Sequence, residues 1–352
     1  MSIIYIIDDK AVIYMKFLKD KKGAIRQYIL EKISQGDSSL AKTVAENFEI
    51  KQNTVYSYIN ELVDENVICR VRRGEYALVS TTYEYHLQRS KGDMENDTGA
   101  YKKYVAPLIK DYTQSIKDIW QYAFSEMFNN VMDHSGAENA RLIIAQTYLE
   151  TTICLIDDGV GIFEKIRSFF DFEDLDEAIS ELFKGKLTTD SKNHSGEGIF
   201  FSSKAMDFFA IISSGKVFTC NKYDISSIED EALNPEIGTC VKMSLSNFSH
   251  KNIKEVFDQY ADTEYGFTKT KVPLKNIFDT APVSRSQAKR VSSRLDEFKE
   301  AEIDFAEVEW MGQGFAHQLF VVFQREHPGL KLTPINMNSS VENMYKHVLN
   351  SL

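Results

Sequence analysis

The sequence predicts an α+β chain of more than one domain, on three observations. Residues 24–65 carry apolar side chains at helical spacing in three runs, and 67–79 then read as two strands about Arg73-Gly74. In the middle of the chain, Phe124, Met127, Phe128 and Val131 keep a helical period, whereas 151–156 is a β-rich run leading into Asp157 and two glycines. From Pro273 onward, helix-like and strand-like stretches alternate again. At 352 residues the chain exceeds one ordinary domain, and its 43% hydrophobic content is enough for real cores.

The elements follow in order. Residues 1–22 are apolar and strand-like but have no assignment. Ala24 to Ile33 forms a first helix; Ser38 or Ser39 caps a second through Leu40, Val44 and Ala45; Gln52 to Glu65 makes a third. With the hairpin at 67–79, the segment 1–80 looks like a winged helix-turn-helix. On its third helix Val55, Ile59 and Leu62 point one way, and Asn53, Tyr56, Ser57 and Asn60 the other. Those four are the candidates to enter the major groove of double-stranded DNA, with Arg70, Arg72 and Arg73 reaching phosphates or the minor groove from the wing.

Charge supports that module only mildly. Residues 1–80 hold 12 Lys and Arg against 11 Asp and Glu, a net of +1, which leaves −12 for the remainder of a −11 chain. The body should repel DNA, so binding must rest on this module, with a homodimer to reinforce it. A winged helix used for protein contacts is the alternative.

Residues 81–118 are polar, with 90–99 expected as a linker and 101–120 as a leading helix interrupted at Pro107. The next helix sets Glu126, Asn130 and His134 four residues apart, hence along one side, each step rising about 6 Å. A carboxylate, an amide and an imidazole in one row suit a metal and its phosphates, although such a row is also what a solvated face looks like. Asp157-x-Gly159-x-Gly161 follows a strand, where missing side chains let a ligand approach the backbone. Gly196-Glu-Gly198 then precedes an apolar helical run, so free N–H groups at a helix start can meet an anion. Gly238-Thr239 opens a further strand.

Four motifs in this order resemble the Bergerat-type ATP-binding domains, the GHKL or histidine-kinase-like ATPase group shared by gyrase, heat-shock chaperones, histidine kinases and anti-sigma serine kinases. In that family Glu-x-x-x-Asn-x-x-x-His precedes Asp-x-Gly-x-Gly, then Gly-x-Gly-Leu, then Gly-Thr on a strand; here only Ile199 departs, standing where the family has Leu. The resemblance implies a two-layer α/β sandwich over 119–250 that binds ATP and Mg2+. It implies that Asn130 ligates Mg2+ through its amide oxygen. Glu126 would be the general base toward water or an acceptor hydroxyl. Asp157 would accept a hydrogen bond from the adenine amine, and guanine's carbonyl there would leave a buried acceptor unpaired at a cost of about 1–3 kcal/mol. His134, Gly159, Gly161, Gly196, Gly198 and Thr239 would line the nucleotide site. Asp158 matches no role and reads as solvated or structural.

Residues 163–193 are long enough for a helix around 176–183 and a lid, with Gly185 and the 188–191 tract for flexibility. Lys184, Lys186 and Lys192 sit where the resembled family closes on the phosphates, and each is equally readable as solvated. Residues 206–213 and 217–219 read as hairpin strands of the same domain.

The last segment, 270–352, holds a capped helix at 284–295, a strand at 301–310 and a helix opening at 312–320. It resembles the STAS-like domain of bacterial DUF4325-type proteins, often found behind such ATPases. A related STAS fold carries a phosphorylated serine at the start of the corresponding helix; Gly312 and Gln313 occupy that turn here, and neither has a hydroxyl. His317-Gln318 stands where the family tends to show Asp-Glu.

Several classes are excluded or disfavoured. No apolar run reaches membrane-spanning length and the first residues lack a basic start, so the expectation is a cytoplasmic protein with no membrane partner. Cys69, Cys154, Cys220 and Cys240 are scattered singly among apolar neighbours and read as reduced core thiols. His86 lacks the acidic residue that follows the phospho-accepting histidine of sensor kinases. Two functions remain: an ATP-binding, slowly hydrolysing DNA-binding regulator, or an anti-sigma-type serine/threonine protein kinase acting on a separate STAS or anti-sigma partner.

Overall fold

The computed structural model describes residues 5–8, 11–13, 21–187, 196–221, 237–262, 266–278 and 280–350. The chain is mixed helix and strand with several sheets, an α+β protein, and divides into two compact units, 1–82 with 145–151, and 83–144 with 152–352.

In the first unit, β1 (Tyr5–Asp8) pairs antiparallel with β2 (Ala11–Ile13). Three helices follow, α1 (Lys21–Ser34), α2 (Leu40–Phe48) and α3 (Gln52–Asp64), then β3 (Ile68–Arg72) and β4 (Glu75–Leu78) as an antiparallel hairpin. The apolar stripes meet as expected: Ile29, Val44, Val55, Ile59 and Leu62 are buried in one core. Ser39 stands at the N-cap of α2 without a side-chain cap; the Asp37 carboxylate instead accepts the Ser39 N–H at 2.7 Å. Gly74 turns the hairpin at φ 81°, a left-handed angle that glycine adopts without steric cost.

The second unit is built on a six-stranded sheet of β5 (Thr81–Gln88), β6 (Asn139–Gln146), β7 (Glu150–Asp157), β8 (Phe208–Ser213), β9 (Lys216–Thr219) and β10 (Thr239–Ser246), in the order β5-β6-β7-β10-β8-β9. Residues 81–118, expected as linker and leading helix, are instead integral to this domain. Thr81–Gln88 is the edge strand, and its alternate Tyr83, Tyr85 and Leu87 turn inward while Thr82, Glu84 and His86 face out. An edge strand solvated on one face has a polar composition that mimics a linker. Arg89 then fastens the chain by donating to the carbonyls of Ala137, Met132 and Val131 at 2.8, 3.0 and 3.3 Å. After α4 (Asp97–Ala100) and a π-helical turn (Tyr101–Val105), Thr113 caps α5 (Gln114–Asn129).

Helices α5, α6 (Ile162–Phe170), α7 (Leu175–Lys184) and α8 (Gly198–Ala205) share a large apolar core with the sheet, with Trp120, Phe124 and Phe128 of α5 against Leu142, Leu155, Phe209 and Met243. Asp174 caps α7 by accepting the Glu177 N–H at 2.8 Å. A smaller cluster of Ile156, Ile212 and Cys240 lies apart from that core.

Beyond α9 (Ile253–Tyr260), β11 (Lys269–Pro273) begins a three-stranded parallel sheet with β12 (Glu300–Asp304) and β13 (Lys331–Ile335). Between and after these strands come α10 (Leu274–Ile277), α11 (Arg285–Ser292), α12 (Gln313–His317), α13 (Gln324–Glu326) and α14 (Ser339–Leu349). A capping box between Ser284 and Gln287 starts α11, as its sequence predicts. The strand expected over 301–310 stops at Asp304, because that carboxylate folds back to accept the Ala306 N–H at 2.9 Å and Asn336 Nδ2 at 2.8 Å.

Candidate functional site

The sheet and helices bring the four motif segments, with further wall residues, to one cavity of about 250 Å3. Helix α5 delivers Glu126 to the cavity beside its buried Met127. At Asn130 the helix widens into a π-helical turn through Ser135, a departure from the regular helix the spacing predicts. Ser135 closes that turn by donating to the Val131 carbonyl at 2.6 Å and accepting the Ala137 N–H at 2.9 Å. Asn130 and His134 nonetheless both line the cavity with Glu126.

Strand β7 ends with Asp157 on the cavity wall, nearly inaccessible to solvent at 5% exposure. Its carboxylate accepts the Gly159 N–H at 2.9 Å and the backbone N–H of Thr239. Burial pushes its pKa up to about 6; Gly159 opposes the shift, the neighbouring Asp158 adds to it, and Thr239 opposes it. Asp158 has the contrasting, structural role. Although burial works against its charge, bonds from Asn139 and the Glu138 N–H hold its pKa below the ordinary carboxylate range.

The glycines matter where backbone and side chain come closest. A Cβ on Gly198 would lie 2.0 Å from Glu126 Oε2, so the first residue of α8 admits the carboxylate only because it has no side chain. A Cβ on Gly159 would fall 2.3 Å from the Ser135 carbonyl oxygen. Gly161, Gly196 and Thr239 line the cavity, and the Thr239 hydroxyl accepts the Ile162 N–H at 3.0 Å, tying the start of β10 to the start of α6. Of the nine nucleotide-site residues picked from sequence, eight line the cavity and Gly159 braces Asp157 beside it.

Two features escaped the sequence. Lys165 reaches the cavity from α6 and donates to the His134 carbonyl at 2.5 Å, with burial lowering its pKa. Its spacing after Ile162 and before Ile166, which also line the cavity, is the helical signal that marks it. Leu182 and Leu187 form a wall from beyond the glycine motif. The loop lysines also turn out differently: Lys184 is buried and Lys186 donates to the Glu297 carbonyl, so neither is a solvated lid residue. Lys192, His194 and the 188–191 tract lie outside the described residues.

In the first unit Asn53, Tyr56, Ser57 and Asn60 are all exposed on α3, and Arg70, Arg72 and Arg73 on the hairpin. Arg72 pairs with Glu75 at 2.5 Å, and Arg70 stands 5.7 Å from the centre of the Tyr76 ring. The four cysteines are free, as expected, but only Cys154 and Cys240 are buried; Cys220 is half-buried and Cys69 is exposed on β3. Among the described residues no group of three or more His, Cys, Asp and Glu gathers to hold a metal, and no helix is long and apolar enough to cross a membrane.

No curated protein matches the chain. Residues 287–342, from within α11 to the first turn of α14, match the model of the STAS-like domain of unknown function (DUF4325), and this C-terminal part is a domain of that kind.

Proposed function

We propose that the chain is an ATP-binding regulator in which the nucleotide state of the central domain biases the hold of a winged-helix module on DNA. One observation carries the nucleotide half of this reading: Glu126, Asn130, Asp157 and Thr239, spread over more than a hundred residues, line a single cavity together with Gly196 and Gly198. Asp157 is the acceptor for the adenine amine, and its burial is what makes an acceptor-facing guanine costly. The N–H groups at the start of α8 suit the phosphates.

Asn130 fits a magnesium ion by its chemistry: with its amide nitrogen turned to Met127 Sδ at 3.9 Å, the hard oxygen is the atom it offers. Bound with the nucleotide, Mg2+ would neutralise phosphate charge. A single protein oxygen suffices when the phosphates supply others. Glu126 orients the attacking water.

A second reading follows from the same carboxylate. Because Glu126 lies against the first residue of α8, it equally serves a serine or threonine hydroxyl on a partner protein, as in a kinase of the anti-sigma type. The deciding experiment is a mobility shift on double-stranded DNA with and without ATP and Mg2+, alongside phosphate release. The regulator reading expects DNA retention to change with ATP and Glu126→Ala to abolish phosphate release while ATP still binds; DNA binding indifferent to ATP, with label appearing on a partner, makes it a kinase.

A further inference from the structure

Residues 184–187 leave the end of α7 and are held from two directions. Lys184 is 1% exposed, and its Nζ donates to Glu181 Oε1 at 2.6 Å and to the carbonyls of Ser293 and Arg290 at 2.7 and 2.9 Å. Those carbonyls close the end of α11, where the helix dipole favours a cation. The Lys184 carbonyl accepts the Thr270 hydroxyl at 2.7 Å. Lys186 donates to the Glu297 carbonyl at 2.7 Å, with its ammonium 4.6 Å from the centre of the Phe298 ring. Arg294 reaches back in the other direction, donating to the Lys186 carbonyl at 2.7 Å and to Glu181 Oε2 at 3.3 Å. Lys186 itself sits at φ 55°, left-handed for a residue with a side chain, and such a conformation persists where surroundings enforce it.

The opposite side of this segment belongs to the cavity. Leu187 lines it and donates its N–H to the Gly196 carbonyl at 3.1 Å, and Gly196 lies so close to the Leu187 backbone that a Cβ would sit 2.6 Å away. A continuous path of short contacts therefore runs from α11 through Arg294 and Lys186 to the second glycine motif.

We propose that the C-terminal domain sets the phosphate side of the nucleotide cavity: Lys184 and Arg294 are positioning residues that hold Leu187, and through it Gly196, in place. The inference rests on the nucleotide reading for what the cavity holds, but the clamp itself does not. A perturbation of the C-terminal domain that loosens Arg294 is then felt as nucleotide affinity.

Arg294→Ala is the first test, because its side chain is partly exposed and the buried Glu181 carboxylate keeps Lys184 as its ion-pair partner when Arg294 is removed. In the full chain, titrations with ATP-Mg and with adenosine should show ATP binding weakened by about tenfold and adenosine, which rests on Asp157, changed by less than about twofold. Val341→Ala, in the C-terminal core but away from the path, should lower the melting temperature without altering the ratio of the two affinities. Equal losses for ATP and adenosine, or the same ratio change in Val341→Ala, would overturn the proposal. Amide hydrogen exchange at Leu187 reads the clamp without nucleotide. If the wild type binds no ATP, the nucleotide reading fails, and faster exchange in Arg294→Ala still upholds the clamp while unchanged protection sinks it.

Discussion

In the proposed nucleotide reading, a single carboxyl at Asp157 links folding, pH and base choice. Its pKa of about 6 stands above the ordinary 3.8, raised first by burial. Between those two values the folded chain binds more protons than the unfolded one, so this group's contribution makes stability fall as pH rises from about 4 to about 6, then level off. Nucleotide binding, as proposed, runs the other way. In that reading the ionised form is the one that accepts the adenine amine, so ATP affinity should drop as pH falls through about 6, approaching tenfold per unit below it. Titrations between pH 5 and 8 check this, and Asp157→Asn should weaken binding and flatten the profile; a wild-type profile with no step near pH 6 would remove Asp157 from base recognition. Gly198→Ala is the companion residue-scale prediction. Alanine is normally favoured in a helix by about 1 kcal/mol, yet here its methyl must displace the Glu126 carboxylate, so phosphate release should be abolished. Of these two residues, Asp157 is readable from its place at the end of a β-rich run; the approach of Gly198 to Glu126 joins positions 72 apart in sequence and no local pattern reveals it.

At the scale of elements, the helical periods were the dependable signal. The stripes of α1, α2 and α3 fall where they are buried, and the polar row of α3 stays outside, because a 3.6-residue period and burial are one constraint. Ile59→Ala should therefore cost about 2–5 kcal/mol of stability in the first unit, whereas Asn53→Ala or Ser57→Ala should change it by less than about 0.5 kcal/mol and act only on DNA affinity. Denaturant unfolding paired with DNA titration separates the two groups. Two elements were not legible. The strand β5 hides because its outward residues are polar, and its membership depends on pairing with β6, some fifty residues away. The π-helical turn at Asn130–Ser135 depends on Ser135 and on the close approach of Gly159 to its carbonyl, neither of which leaves a mark in the helical spacing.

For the whole molecule, the C-terminal domain was readable because its motifs are local, and its family match begins inside α11. The lysines of 184–186 were not, since their partners lie more than a hundred residues further on and their charge reads as surface. The charge division makes the last prediction. With +1 on residues 1–80 and −12 on the rest, the proposed DNA binding requires that a small number of phosphate-neutralising side chains carry it. Arg70→Ala and Arg73→Ala should then each make the slope of log affinity against log salt shallower by about one. If ATP alters that binding by some factor, DNA must alter ATP affinity by the same factor, because the coupling is one free energy approached from two sides. Measuring ATP affinity with and without saturating DNA, against DNA affinity with and without saturating ATP, closes the cycle. Two factors that agree and exceed about fivefold mark a switch of ordinary allosteric strength; two factors of about one rule out the coupling that the regulator reading requires.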